Sequence, residues 1–307
     1  MRIEDLKYME TRIIRIGTRG SKLALTQTEM VEKKLKIAYP GIRTERIIIN
    51  TIADRHSEKP LAEFGGEGVF SKELERALLD GRIDVAVHSA KDMAVNTATG
   101  LAISGVLKRE DVRDVLVYRK GLDLSLTVTG KKLRIGTGSP RRRCQIEALY
   151  PDFICENIRG NVPTRLDKVR NGLYDGVILA VAGLKRLDML GLDEFEYRYF
   201  TEEEMLPAGG QAIIAIETSV VGMAAELIGE ISDADSFLEL KTEQYVLRCL
   251  NAGCHEPIAV RALVEGDKLT VSIVRAFEGG LIKVSRIGHR AKWKGTADEA
   301  VGELING

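Results

Sequence analysis

Apolar and polar positions alternate in blocks along the first hundred residues. The run Ile13-Ile14-Arg15-Ile16-Gly17-Thr18 reads as a strand that ends in a turn of Arg19, Gly20 and Ser21. Residues 21–38 follow with Leu23, Met30, Val31 and Leu35 on one helical face, and Pro40-Gly41 closes that segment. The β-branched run 46–51 predicts a strand, and Gly65, Gly66 and Gly68 make residues 63–68 a mobile loop. Ser71 is placed to cap a helix through Leu79 that turns Phe70, Leu74, Ala77 and Leu78 inward. Residues 83–88 then form a buried strand leading into Ser89-Ala90-Lys91-Asp92. Strand and helix in alternation predict an α/β sheet domain.

A charged stretch, 108–114, separates this half from one that reads like it. Leu133-Arg134-Ile135-Gly136-Thr137 repeats the Arg-Ile-Gly-Thr of the first strand, and Gly138-Ser139-Pro140 leads into a helix from about Arg141 that carries Ile146 and Leu149. Residues 153–155 are a weak strand, Thr164 to Asp167 form a capping box, Gly172 stops that helix, and 177–182 is the next buried strand. A second parallel runs in the same order: Gly81-Arg82-Ile83-Asp84-Val85 matches Gly172-Leu173-Tyr174-Asp175-Gly176, each a helix stop passing through Asp into an apolar strand. Two ordered self-similarities point to two related α/β domains with a cleft between them.

The remainder changes character. The turn 206–211 precedes a strand, 212–216, that can return to the first domain. Residues 235–250 read as a helix, and three strands at 258–264, 269–274 and 281–285 are joined by Glu-Gly-Asp and Glu-Gly-Gly turns. This predicts a small α+β domain with an antiparallel sheet.

Composition narrows the function. The 307 residues suit two or three domains. With 45 basic and 45 acidic residues the net charge is zero, so nothing in the whole chain calls for nucleic acid or a membrane surface. An anion site must come from local clusters of Arg and Lys. The four cysteines (Cys144, Cys155, Cys249 and Cys254) form no Cys-x-x-Cys pair, which argues against a structural zinc site. Residues 1–10 are polar and no apolar run reaches membrane length, so a cytoplasmic protein with reduced thiols is expected.

Both Arg-Ile-Gly-Thr copies aim backbone N–H groups and cationic side chains at one point. Arg141-Arg142-Arg143 after Ser139 is the densest such point. Read as a solvated helix start it is disfavoured, because positive charge there opposes the helix dipole; a bound anion would resolve the conflict. Arg19 occupies the matching turn of the first copy, and Arg159 and Arg165 another turn-to-helix segment. Asp92 follows an apolar strand, where it can cap a turn or stabilise positive charge and move protons. Cys254, in a Gly-Cys-x-x-Pro loop, is either a small buried residue or a usable nucleophile.

These segments resemble the porphobilinogen deaminase (hydroxymethylbilane synthase) family over nearly the whole chain. The matching stretches are residues 15–21, Val87-His88-Ser89-Ala90-Lys91-Asp92, 135–145, 159–165, 179–186, the 206–211 turn and the Gly253-Cys254-x-x-Pro257 loop. The resemblance implies two periplasmic-binding-protein-like α/β domains plus a small α+β third domain with an antiparallel sheet. Their bounds would be 1–108 plus about 206–221, 109–205, and 222–307. It implies an enzyme that joins four porphobilinogen molecules head to tail, releasing ammonia through an electrophilic azafulvene, and then releases hydroxymethylbilane by hydrolysis. The chain would grow on a dipyrromethane cofactor held by a thioether to Cys254. Asp92 would interact with pyrrole nitrogens, assist deamination and stabilise the azafulvenium. Lys91, Thr137, Ser139, Arg141, Arg142, Arg159 and Arg165 would hold cofactor carboxylates, and Arg19, Gln27 and Arg186 would contact incoming or growing rings. No metal, nucleic acid or membrane partner is implied, and a monomer is expected.

The chain departs from the family pattern at Glu63 and Glu67, where lysine is frequent, and at Met93-Ala94, Gln244 and Ala212, the last in place of a usual glycine. A non-catalytic two-domain anion-binding protein is the competing reading. It accounts for the duplication and the arginines, but not for Cys254.

Overall fold

A computed structural model describes residues 13–51, 71–124, 132–253, 256–278 and 280–306. The chain forms β1 (Ile13–Thr18), α1 (Lys22–Ala38), β2 (Arg43–Ile48), α2 (Lys72–Leu79), β3 (Val85–Ser89) and β4 (Leu101–Val106). It continues as β5 (Asp114–Arg119), β6 (Arg134–Gly136), α3 (Pro140–Leu149), β7 (Ile154–Glu156), α4 (Val162–Arg170), β8 (Gly176–Ala180), α5 (Val181–Arg186) and β9 (Phe195–Tyr199). Then come β10 (Ile214–Ser219), α6 (Met223–Ile231), α7 (Ala234–Cys249), β11 (Ile258–Glu265), β12 (Lys268–Phe277), β13 (Gly280–His289) and α8 (Trp293–Asn306). Two compact units divide the chain: residues up to Arg109 with Ile213–Leu238, and Glu110–Ala212 with the chain from Glu239 onward. The expected third domain begins at 222, whereas the first unit runs on to Leu238, and α6 packs there against the first sheet.

The first unit holds a five-stranded sheet in the order β2-β1-β3-β10-β4. The first three strands are parallel, and β10 runs antiparallel to both of its neighbours. One face packs Ile14, Ile16, Val85, Val87, Ile214 and Ile216 against Val31 and Leu35 of α1 and Leu227 and Ile228 of α6. The other face covers Ile83 and Ala86 with Leu74, Ala77 and Leu78 of α2.

In the second unit the order is β7-β6-β8-β5-β9, with β6 parallel to β7 and β8, and β5 antiparallel to β8 and β9. Position by position this is the first sheet again, which bears out the two related α/β domains. The third sheet, β11-β12-β13, is antiparallel. Its buried face, with Val260, Leu269, Val271 and Ile273, meets Val246 of α7 and Ala297, Ala300 and Leu304 of α8.

The sequence repeats acquire a structural reason here. Asp84 accepts the Arg15 backbone N–H at 2.9 Å and donates its own N–H to the Arg15 carbonyl at 2.8 Å. Asp175 does the same to Arg134, at 2.8 and 2.9 Å. Each repeated Asp therefore clasps the Arg of its Arg-Ile-Gly-Thr strand and fixes the entry of β3 or β8 beside it. The Arg side chains differ: that of Arg15 returns to Asp84, while that of Arg134 takes Glu156. The glycine of the repeat is a close-approach position. A Cβ on Gly17 would collide with Ile83 Cδ1, and one on Gly136 would lie 2.9 Å from Ile158 Cδ1.

Some expected bounds move. The second strand starts at Arg43 instead of 46, and the returning strand at Ile214 instead of 212. Asn161, not Thr164, caps α4: its side chain accepts the Thr164 N–H at 3.0 Å, and Pro163 sits in the first turn, where its missing donor costs nothing. The glycine loop with Glu63 and Glu67 lies outside the described residues.

Candidate active site

In both sheets the candidate residues follow parallel strands at their C-terminal ends, where backbone N–H groups of the next helix are unsatisfied. In the first unit, Ser21 caps α1 by accepting the Ala24 N–H at 3.3 Å, which sets Arg19 in the turn between β1 and α1. Gln27, one turn further along α1, is buried, and its side-chain amide exchanges hydrogen bonds with the Ser89 hydroxyl at the end of β3 (2.8 and 3.2 Å). A single 3-10 turn, Ala90–Asp92, carries Lys91 and Asp92, both half-buried. Arg19, Ser21, Gln27, His88, Ser89 and Asp92 line one open pocket of about 60 Å3. The structure thus brings Arg19, Gln27 and Asp92 together, with His88 as a lining residue that the sequence reading left without a role. Its signal in the sequence was its place at the polar end of an apolar strand.

In the second unit, Ser139 caps α3 by accepting the Arg142 N–H at 3.4 Å, and its own N–H donates to buried Thr137 at 3.3 Å. Arg141 and Arg142 are not a solvated helix start. They are 4% and 6% exposed. Arg141 donates to the Leu206 carbonyl and to Asp114 Oδ2, both at 2.7 Å. Arg142 donates to the Ile178 carbonyl at 2.9 Å and to Asp114 Oδ1 at 2.8 Å. The Gln211 side chain adds a third bond to Asp114 at 3.0 Å. Burial pulls the Arg141 pKa below its ordinary value, and the Asp114 carboxylate opposes that shift.

Sequence reasoning missed Asp114. It lies in the charged stretch 108–114, and the only hint was a carboxylate directly preceding the apolar run Val115-Leu116-Val117. It resolves part of the conflict between the arginines and the helix dipole. Two guanidiniums against one carboxylate still leave one positive charge in excess, and among the described residues the Nε atoms of Arg141 and Arg142 are buried without a hydrogen-bond partner.

The remaining arginines sit on other turns of this unit. Arg165 donates from Nε to the Gly160 carbonyl at 2.7 Å, and half-buried Arg159 lies just before the α4 cap. Arg186, at the end of α5, donates to the Ala212 carbonyl at 2.6 Å. Burial pushes its pKa down to about 10, and its Nε is a further buried donor without a partner among the described residues. Ala212 has a φ of 71°, the left-handed region that suits glycine, so the chain bears backbone strain beside this arginine. Cys254 lies outside the described residues. Cys155 is buried and its thiol is pushed up to about 11 by burial, which fits a structural residue.

The model of the porphobilinogen deaminase dipyromethane cofactor binding domain matches residues 14–223. The chain belongs to the porphobilinogen deaminase family. A porphobilinogen deaminase of Lachnospira eligens is 43% identical over 291 residues, covering 94% of this chain and 96% of that protein. One from Acetivibrio thermocellus is 39% identical over 295 residues, covering 96% and 98%. Among solved structures, the periplasmic VFT2 domain of Bordetella pertussis BvgS has a TM-score of 0.43 at 16% identity, covering 74% of this chain and 89% of that domain.

The family's cofactor is a dipyrrole. An anionic group on such a dipyrrole would fit the second unit, where Arg141 and Arg142 against the single carboxylate of Asp114 leave positive charge in excess. No helix among the described residues is long and apolar enough to cross a membrane.

Proposed function

We propose that this protein is a porphobilinogen deaminase, a transferase that joins four porphobilinogen molecules head to tail with loss of ammonia and releases hydroxymethylbilane by hydrolysis. The observation that carries the reading is the pocket where Asp92, Arg19 and Gln27 meet at the strand ends of the first sheet, in a chain that matches the family along its length. A non-catalytic anion receptor would use the arginines but leaves Asp92 in that pocket without a task.

A dipyrromethane bound through a thioether to Cys254 would supply the nucleophilic ring end that begins the chain. Ser139, Thr137, Arg141 and Arg142 would hold its carboxylates, with Lys91, Arg159 and Arg165 adding positive charge. Asp92 would accept hydrogen bonds from pyrrole N–H groups and stabilise the cation that forms as ammonia departs. Arg19 and Arg186 would pair with substrate carboxylates, and Gln27, held by Ser89, would orient the ring. The enzyme is taken to work as a monomer in the cytoplasm.

Intact-protein mass, read together with porphobilinogen consumption, tests this. The purified chain should weigh more than its sequence by one dipyrrole, and Cys254→Ala should abolish the addition. Asp92→Asn should keep the addition while turnover falls by roughly 100-fold or more. Active protein without an adduct would remove Cys254 from its role, and full turnover by Asp92→Asn would remove Asp92.

A further inference from the structure

His88 and Glu217 form a buried titratable pair against the pocket that holds Asp92. His88 is 7% exposed and Glu217 is fully buried. His88 stands opposite Ala215 on β10, so Glu217, two residues along that strand, is its diagonal neighbour on the same sheet face. Nε2 of His88 meets Glu217 Oε2 at 3.2 Å, and the second carboxylate oxygen is buried without a hydrogen-bond partner among the described residues. Ala86, Leu74 and Leu78 form an apolar cluster on this face of the sheet. A lone carboxylate–imidazole pair in such a place stabilises less than an apolar pair of similar size, so its presence calls for another reason. His88 also lines the pocket, where Arg19 and Asp92 are the charged side chains among the described residues. With Nε2 committed to Glu217, Nδ1 is the nitrogen available to a molecule bound there. An imidazole oriented and charge-stabilised by a buried carboxylate is the arrangement of a general base.

We propose that His88, oriented by Glu217, is the base that takes the ring proton at each condensation. This rests on the deaminase reading. When the C–N bond of the aminomethyl group breaks, its electron pair leaves with ammonia and the methylene carbon becomes electrophilic. A free α-carbon of a second pyrrole ring bonds to that carbon. The α C–H bond then breaks, its electron pair restores the ring, and its proton passes to Nδ1 of His88, with Glu217 balancing the imidazolium. The proton returns to solvent or to the departing ammonia before the next cycle. Asp92 stabilises the cation in this scheme, and His88 ends it.

The test compares the parent with His88→Gln, His88→Ala and Glu217→Gln, each carrying its covalent adduct by intact mass. His88→Gln keeps a partner for Glu217 and should lower kcat for porphobilinogen consumption about 100-fold or more, with KM little changed. Added imidazole should restore part of the activity of His88→Ala, a response that a structural role would not give. Glu217→Gln should lower kcat about tenfold and shift the acid limb of the pH–rate profile. Turnover by His88→Gln within about threefold of the parent overturns the assignment. So does a folded, adduct-bearing His88→Ala that ignores imidazole. A parent protein that leaves porphobilinogen untouched overturns the deaminase reading itself.

Discussion

Replacing Asp114 by Asn preserves shape and removes one charge, and the structure sets the size of the effect. Asp114 is fully buried and accepts from Arg141 at 2.7 Å, Arg142 at 2.8 Å and Gln211 at 3.0 Å among the described residues. An amide oxygen can still accept from one arginine, but its NH2 group then faces the other as donor against donor. Two buried guanidiniums also lose their only carboxylate among the described contacts. Breaking one side of a buried ion pair typically costs ~3–5 kcal/mol, because the orphaned charge stays buried. For a domain of this size each kcal/mol lowers the melting temperature by roughly 2–4 °C, so a drop on the order of 10 °C is expected. Circular dichroism melts of Asp114→Asn and the parent at neutral pH measure it. Glu29→Gln, which breaks only the exposed i,i+4 pair with Lys33, is the control and should leave the melt unmoved. If Asp114→Asn melts with the parent, the buried fork does not hold the second sheet, and the charge argument at Arg141 and Arg142 fails with it.

Gly17→Ala should destabilise by ~1–3 kcal/mol through the collision with Ile83 Cδ1. Adding Ile83→Val should recover part of that loss, which urea unfolding of the single and double variants will show. At Ala212, left-handed strain of ~1–2 kcal/mol offsets the flexibility that glycine would add, so Ala212→Gly should be neutral to slightly stabilising. Ala212→Val, β-branched at positive φ, should melt clearly below both. Exposed Cys249 should be alkylated by iodoacetamide in the native protein near neutral pH, whereas Cys155 should resist until the pH approaches about 11. The Cys155 thiol titrates higher when folded than unfolded. Its contribution to stability is therefore present below pH 9.0, the unfolded value, and is lost as the pH rises toward about 11. Peptide mass mapping after pulse labelling checks the order.

How much was legible depended on how local the cause was. β1, α1 and β6 were visible from apolar positions a few residues apart, and α3 from Ser139 and Pro140 at its start, although its buried face is mostly polar (Arg141, Arg142 and Gln145 beside Ile146). β5 was missed because its first residue is a charged Asp whose partners are 27 and 28 residues away, a pairing that only tertiary contact reveals. α8 was missed because its buried face sets Thr296, Ala297 and Ala300 beside Val301 and Leu304, a weak periodic signal. Thr164 looked like a cap because the capping-box spacing was met, yet Asn161 three residues earlier was the better acceptor and Pro163 favoured the earlier start. At the site, Asp92 and Arg19 were legible as strand-end residues. The burial of Arg141 and Arg142 and the Glu217 partner of His88 were not, since both depend on strands distant in the sequence.

The place of β10 in the first sheet has a consequence for synthesis. That strand lies between β3 and β4, yet it follows β4 by more than a hundred residues, whereas the second sheet is built from the unbroken run β5 to β9. A chain leaving the ribosome at ~5–20 residues per second therefore carries β3 and β4 with open, unsatisfied edges for on the order of ten seconds. The second sheet can close first, although it is made later. The N-terminal half waits as a sheet without its middle, and during that interval it is the segment most in need of a chaperone and most prone to pair with a neighbouring chain.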